Sequence, residues 1–141
     1  MTPTILLVHG FWEGPDVYAE ITSQLAQQDL RTHAVTLPSL GKESPGNPGM
    51  KDDIAHIRKE VTILADEGKE IVMVLDSGAG FLGSNAVEGL SLASREANNQ
   101  SGGVSKIVFI SAAVFPEGFT HGPLPFSVFE VSLPARNSHR Y

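Results

Sequence analysis

Three runs of this sequence are short, apolar and rich in β-branched residues: Thr4-Ile5-Leu6-Leu7-Val8, Glu70-Ile71-Val72-Met73-Val74-Leu75 and Lys106-Ile107-Val108-Phe109-Ile110-Ser111. None of them alternates apolar with polar. A strand with one wet face must alternate, whereas a strand covered on both faces need not, so these runs suit a parallel sheet with helices on either side. A weaker run at residues 31–37 lies between the first two and reads as a strand nearer the edge.

Helical patterns separate the runs. Val17, Tyr18, Ile21 and Leu25 recur at three- and four-residue spacing after Pro15, a residue tolerated in a first helical turn. Ile54, Ile57, Val61 and Leu64 repeat that spacing after the acidic pair Asp52-Asp53, which reads as a helix-start signal, and Gly68 supplies the stop. A third helix is expected from Gly78 to about Ala97, with Leu82, Ala86, Leu90 and Ala93 on its apolar arc and Gly80 and Gly83 close to a neighbouring backbone. The order β-α-β-α-β-α-β implies right-handed crossovers and a three-layer α/β/α architecture around a parallel sheet of about four strands.

Length and composition fit one such unit. The chain has 141 residues, 41% of them apolar, a mean hydropathy of -0.01 and a mass of 15.1 kDa, all ordinary for a single globular domain. Loops at 38–49 and 98–103 do not mark a domain boundary, and no internal repeat is present. Residues 112–141 carry Pro116, Pro123, Pro125 and Pro134 and no helical period, so residues 1–118 are assigned to the folded unit and 119–141 to an irregular tail. With 10 basic against 16 acidic residues the formal charge is -6, which argues against nucleic acid or an anionic membrane as partner and for a small-molecule substrate. No stretch approaches the roughly 18 apolar residues of a membrane span and no basic segment precedes residues 5–8, so a cytoplasmic location is expected. Cysteine is absent, which leaves Ser, Thr, Lys and carboxylates as nucleophiles.

Chemistry concentrates where a buried run meets a small-residue helix start, at Leu75-Asp76-Ser77-Gly78-Ala79-Gly80. A tight strand-to-helix turn pushes a serine hydroxyl out beyond the sheet, and the next N–H, on Gly78, sits at the positive end of the new helix where it stabilises an oxyanion. The competing reading is that Asp76 or Ser77 only caps the helix. A second signal, Val8-His9-Gly10-Phe11-Trp12, ends the first strand and offers the Phe11 N–H as a further oxyanion donor. Its competing reading is a histidine held by a backbone hydrogen bond, with Gly10 in a left-handed turn. Both signals fall at strand C-terminal ends, where parallel sheets build their sites.

With those residues in view the sequence resembles the α/β-hydrolase fold family, in its small esterase-like branch. The likeness rests on Thr4-Ile5-Leu6-Leu7-Val8-His9-Gly10, Leu37-Pro38-Ser39-Leu40-Gly41 and Gly83-Ser84-Asn85-Ala86-Val87-Glu88-Gly89-Leu90, and covers residues 4 to 118. The resemblance implies a Ser-His-acid hydrolase of a small ester or acyl substrate without a cofactor, with Ser77 as nucleophile and the N–H groups of Phe11 and Gly78 as oxyanion hole. Two motif positions depart from Gly-x-Ser-x-Gly: Leu75 stands at the leading small residue and Ala79 at the trailing one, and Asp76 stands where many relatives carry histidine. The family's acid and histidine follow the serine along the chain. Here the candidates are Glu117, just past the fourth apolar run, and His121 or His139 after it, in segments that read as turn and tail, so the sequence reads as the N-terminal half of such a fold lacking a complete triad. His33 and His56 read as structural or solvent-facing, and no His/Asp/Glu spacing suggests a metal site.

Two alternatives remain at this level. A non-catalytic remnant or ligand-binding module of the same fold would expose its sheet edge and self-associate. A flavodoxin-like nucleotide-binding domain would need a phosphate loop after the first strand, where Trp12 and Glu13 would crowd and repel phosphate; neither GxxxxGK[ST] nor GxGxxG occurs there.

Overall fold

The structure is a computed structural model that describes residues 2–40 and 46–119. Its four strands, β1 (Thr4–Val8), β2 (Arg31–Val35), β3 (Glu70–Asp76) and β4 (Gly103–Ile110), form one sheet in the order β2-β1-β3-β4. All three pairings are parallel, with Leu6 opposite Met73 and Val8 opposite Leu75. Four helices connect or flank them: α1 (Ala19–Ala26), α2 (Met50–Asp66), α3 (Ala79–Ala86) and α4 (Leu92–Ala97). From β1 the chain crosses to one side of the sheet and later returns to the other, so right-handed crossovers place α1 and α2 on opposite faces.

The core lies on the α2 and α3 face. Ile57, Val61 and Leu64 of α2 and Leu82 and Ala86 of α3 pack with Leu6, Val8, Ile71, Met73 and Leu75. Each large side chain buried here contributes about 1.5–3 kcal/mol relative to an exposed one. The opposite face is thinner. Pro15 opens a short 3-10 turn, Pro15–Tyr18, rather than the α-helix itself, and only Tyr18 of the expected stripe is buried. Val17 and Ile21 are exposed and α1 contributes no buried residue.

Two expectations need correction. The single helix from Gly78 to Ala97 is two helices, because the chain turns at Val87–Leu90 with Gly89 at φ 73° and Ser91 restarts it as N-cap of α4, its Oγ accepting from the Ser94 N–H. The break lets the Leu90 carbonyl accept from the Val104 N–H at 2.9 Å. That contact extends β4 back to Gly103, three residues before the apolar run, with an irregularity in the β3 register at Ser105. β4 is also not covered on both faces: Val108, Phe109 and Ile110 are 37%, 41% and 44% exposed, and Val114, Phe115 and Phe119 continue the apolar surface. The tail assigned to residues 119–141 lies, from 120 on, outside the described residues. None of the described helices is long and apolar enough to cross a membrane.

β1 and β3 are neighbours whose onward connections diverge, to β2 on one side and to β4 on the other. A crevice therefore opens between their C-terminal ends, the place where parallel sheets of this kind bind ligands. His9-Gly10-Phe11 and Ser77-Gly78 follow those two ends.

Candidate active site

Ser77 is held at the corner by its backbone. Its N–H donates to the Ile110 carbonyl at 3.1 Å, and its own carbonyl accepts from the N–H groups of Gly80 (3.2 Å) and Ala113 (3.0 Å). These bonds keep it at φ 52°, a left-handed conformation that costs a non-glycine residue on the order of 1–2 kcal/mol. Strain of this kind persists at functional sites when the surroundings over-determine it. The capping reading fails: Gly78 is the N-cap of α3, and no side chain makes a cap hydrogen bond there. The Ser77 side chain points to an exposed position and forms no hydrogen bond among the described residues.

The two loops meet through glycines. A Cβ on Gly10 would lie 2.9 Å from Ser77 Cβ and 3.5 Å from Ser77 Oγ, and one on Gly78 would lie 2.4 Å from the Phe11 ring. A side chain at Gly10 would meet the serine itself, and one at Gly78 would displace the Phe11 ring. A Cβ on Gly80 would lie 2.5 Å from the Ala113 carbonyl oxygen, which is the close backbone approach that its place in the helix suggested. At Gly83 the neighbour is a side chain instead: Leu75 Cδ2 would be 2.5 Å away. Leu75 thus replaces the motif's leading small residue without crowding the turn, because Gly83 yields it the space.

His9 is 1% exposed and both ring nitrogens are engaged: Nδ1 lies 2.8 Å from the Gly10 carbonyl oxygen, and Nε2 accepts from the Leu37 N–H at 3.3 Å. It is a structural histidine with no nitrogen free for Ser77. Gly10 is not left-handed; that conformation falls on Trp12, at φ 64° and 74% exposed, whose ring meets Phe11 edge-on at 6.0 Å. The N–H groups of Phe11 and Gly78 donate no hydrogen bond among the described residues. Nearby, the Tyr18 hydroxyl donates to the Val8 carbonyl at 2.9 Å. Burial, reinforced by the negative charges of Asp76 and Glu13, pushes its phenol well above the ordinary range and keeps it a donor. The surroundings of Ser77 are therefore aromatic and acidic.

The other sequence candidates stand elsewhere. His33 Nε2 lies 2.9 Å from Glu60 Oε2, and His56 Nε2 lies 3.8 Å from Glu60 Oε1, so both gather on one carboxylate away from Ser77. Glu117 is exposed in the turn where the Phe119 N–H meets the Pro116 carbonyl. His121 and His139, like Gly41 of the Leu-Pro-Ser-Leu-Gly loop, lie outside the described residues. Among the described residues no group of three His, Asp or Glu side chains gathers to hold a metal ion.

One pair escaped the sequence reading. Asp52 does cap α2, accepting from the Gly49 N–H at 2.8 Å, but Asp53 is buried and reaches across to Ser39, accepting from its N–H at 2.9 Å and its hydroxyl at 2.7 Å. Nothing in sequence spacing links residues 14 positions apart in this way. A second group, Phe81, Phe115 and Phe119, forms an aromatic cluster, with the last two rings stacked at 4.6 Å.

Residues 5–141 match the model of the Alpha/beta hydrolase family. The alpha/beta hydrolase nvfD of Aspergillus novofumigatus is 31% identical over 118 residues, covering 84% of this chain and 46% of the relative. Among solved structures, tomato methylketone synthase I complexed with 2-tridecanone superposes with a TM-score of 0.64 at 17% identity, over 86% of this chain and 44% of that one. An extracellular alpha/beta-hydrolase from a Paenibacillus species gives 0.59 at 15% identity, over 81% and 42%. The two structures bear on the fold alone. The chain spans about half the length of the relatives it matches.

Proposed function

This chain belongs to the alpha/beta hydrolase family, and from that premise we propose that it hydrolyses a small carboxylic ester or related acyl compound through Ser77. The observation that carries the reading is the left-handed and exposed Ser77, whose side chain caps no helix, beside two N–H groups that donate no hydrogen bond among the described residues. In this scheme Ser77 Oγ attacks the acyl carbon and the carbonyl oxygen becomes an oxyanion accepting from the Phe11 and Gly78 N–H groups. The alcohol leaves, and water then releases the acid from the acyl-serine. A neutral serine hydroxyl is a poor nucleophile, so the attack needs a proton acceptor. Among the described residues no imidazole pairs with Ser77, and the base in this proposal is supplied from beyond them. Glu13 and Asp76 near the crevice favour an uncharged substrate over an anionic one, and Phe11 and Trp12 offer its acyl group an apolar wall.

The test is hydrolysis of p-nitrophenyl acetate by the wild-type protein and by Ser77→Ala. The proposal expects turnover that falls by at least about 10³-fold in the variant. A second reading, a binding module of the same fold without turnover, is favoured by the absence of a described histidine partner for Ser77. It expects the ester to bind equally to both proteins and neither to hydrolyse it.

A further inference from the structure

We propose that His9 is a positioning residue for the oxyanion hole: held as its Nδ1–H tautomer, it orients the Gly10–Phe11 peptide so that the Phe11 N–H faces the acyl oxygen. This rests on the assignment of Ser77 and Phe11 above.

The tautomer follows from the partners. A backbone N–H only donates, so the Leu37 N–H at 3.3 Å meets a lone pair on Nε2, and the proton of the neutral ring resides on Nδ1. From there it donates to the Gly10 carbonyl at 2.8 Å. That carbonyl and the Phe11 N–H are two ends of one planar trans peptide and point in opposite directions. Tying the oxygen to a buried ring therefore aims the N–H away from that ring, and it meets no other acceptor among the described residues. Such a tie is needed because the peptide adjoins Gly10, whose missing side chain admits Ser77 but also frees the backbone to rotate. Leu37, just past the end of β2, fixes the other side of the ring and stops it from turning over.

Two isosteric substitutions separate this role from simple packing. His9→Asn retains a donor near the Nδ1 position and loses the acceptor toward Leu37; His9→Gln retains an acceptor near the Nε2 position and loses the donor toward Gly10. Ser77 acylation by p-nitrophenyl acetate is measured for each, together with the imidazole ¹⁵N and Phe11 amide resonances. The expected result is an Nδ1–H tautomer in the wild-type protein, a Phe11 amide displaced in the Gln variant only, and acylation slowed about 10- to 100-fold by Gln, a fraction of the 10²–10³ lost with a whole oxyanion donor, and less than about threefold by Asn. An Nε2–H tautomer, or equal displacement of the Phe11 amide in the two variants, overturns the proposal. If the wild-type protein shows no acylation, the reading of Ser77 fails while the tautomer and amide resonances still decide the role of His9. If the Gln variant does not fold, the wild-type tautomer and the Asn variant decide it.

Discussion

The accommodation of Leu75 by Gly83 can be tested by a double-mutant cycle. A Cβ at Gly83 would stand 2.5 and 2.7 Å from the two Leu75 methyl groups, and both residues are buried. Overpacking of that kind costs about 1–3 kcal/mol. Replacing glycine by alanine inside a helix returns about 1 kcal/mol, so Gly83→Ala alone is expected to destabilise by about 0–2 kcal/mol. Leu75→Ala leaves a cavity and should cost about 2–5 kcal/mol. In that background the clash is gone, the new methyl fills part of the space and the helix gain remains, so adding Gly83→Ala should restore about 1 kcal/mol. The coupling between the two sites is then about 1–3 kcal/mol, read from urea unfolding of the four proteins with matched m-values. Additivity within about 0.5 kcal/mol would mean that the two side chains do not share one space.

Asp53→Ala should cost about 2–4 kcal/mol in the same assay, since Ser39 loses two charge-assisted hydrogen bonds; a loss under 1 kcal/mol would mean that the loop after β2 is held by other contacts. Tyr18 makes a pH prediction with a definite sign. Its phenol is raised in the folded state above its ordinary value of 10.0, so the folded state keeps a proton that the unfolded chain releases, and stability should fall as pH rises beyond that value. Tyr18→Phe should remove that part of the alkaline decline at a cost of about 1 kcal/mol at neutral pH, and an unchanged alkaline profile would contradict the assignment. The uncovered β4 edge is expected to drive self-association that rises with protein concentration and weakens in Val108→Lys, as followed by sedimentation equilibrium. A wild-type monomer at all concentrations would oppose this expectation.

The parts of this fold that were legible in the sequence are those governed by local pattern. Continuous apolar runs located β1, β3 and β4, a weaker run located β2, and the Ile57, Val61 and Leu64 spacing located α2, because burial and period are written in neighbouring residues. The corner at Ser77 was legible for the same reason: a strand ends, small residues follow, and the turn is forced. What was not legible depends on distant partners. The break after α3 is stabilised by Leu90 meeting Val104, the extra residues of β4 by the same contact, and the burial of Asp53 by Ser39. The left-handed turn falls on Trp12, and the glycine at position 10 serves instead the close approach to Ser77, a contact between two strand ends that no spacing encodes. The exposure of β4 likewise reflects which elements stand beside it, and its own residues read as a covered strand.

A Ser77 nucleophile presented to an oxyanion hole should react covalently with an activated phosphonate. The folded protein is treated with a fluorophosphonate, and the adduct is located by peptide mass spectrometry. The expected result is one phosphonyl group per chain, on Ser77, absent after Ser77→Ala or after unfolding in urea. A folded protein that stays unlabelled at Ser77, or that is labelled as readily after unfolding, would contradict it.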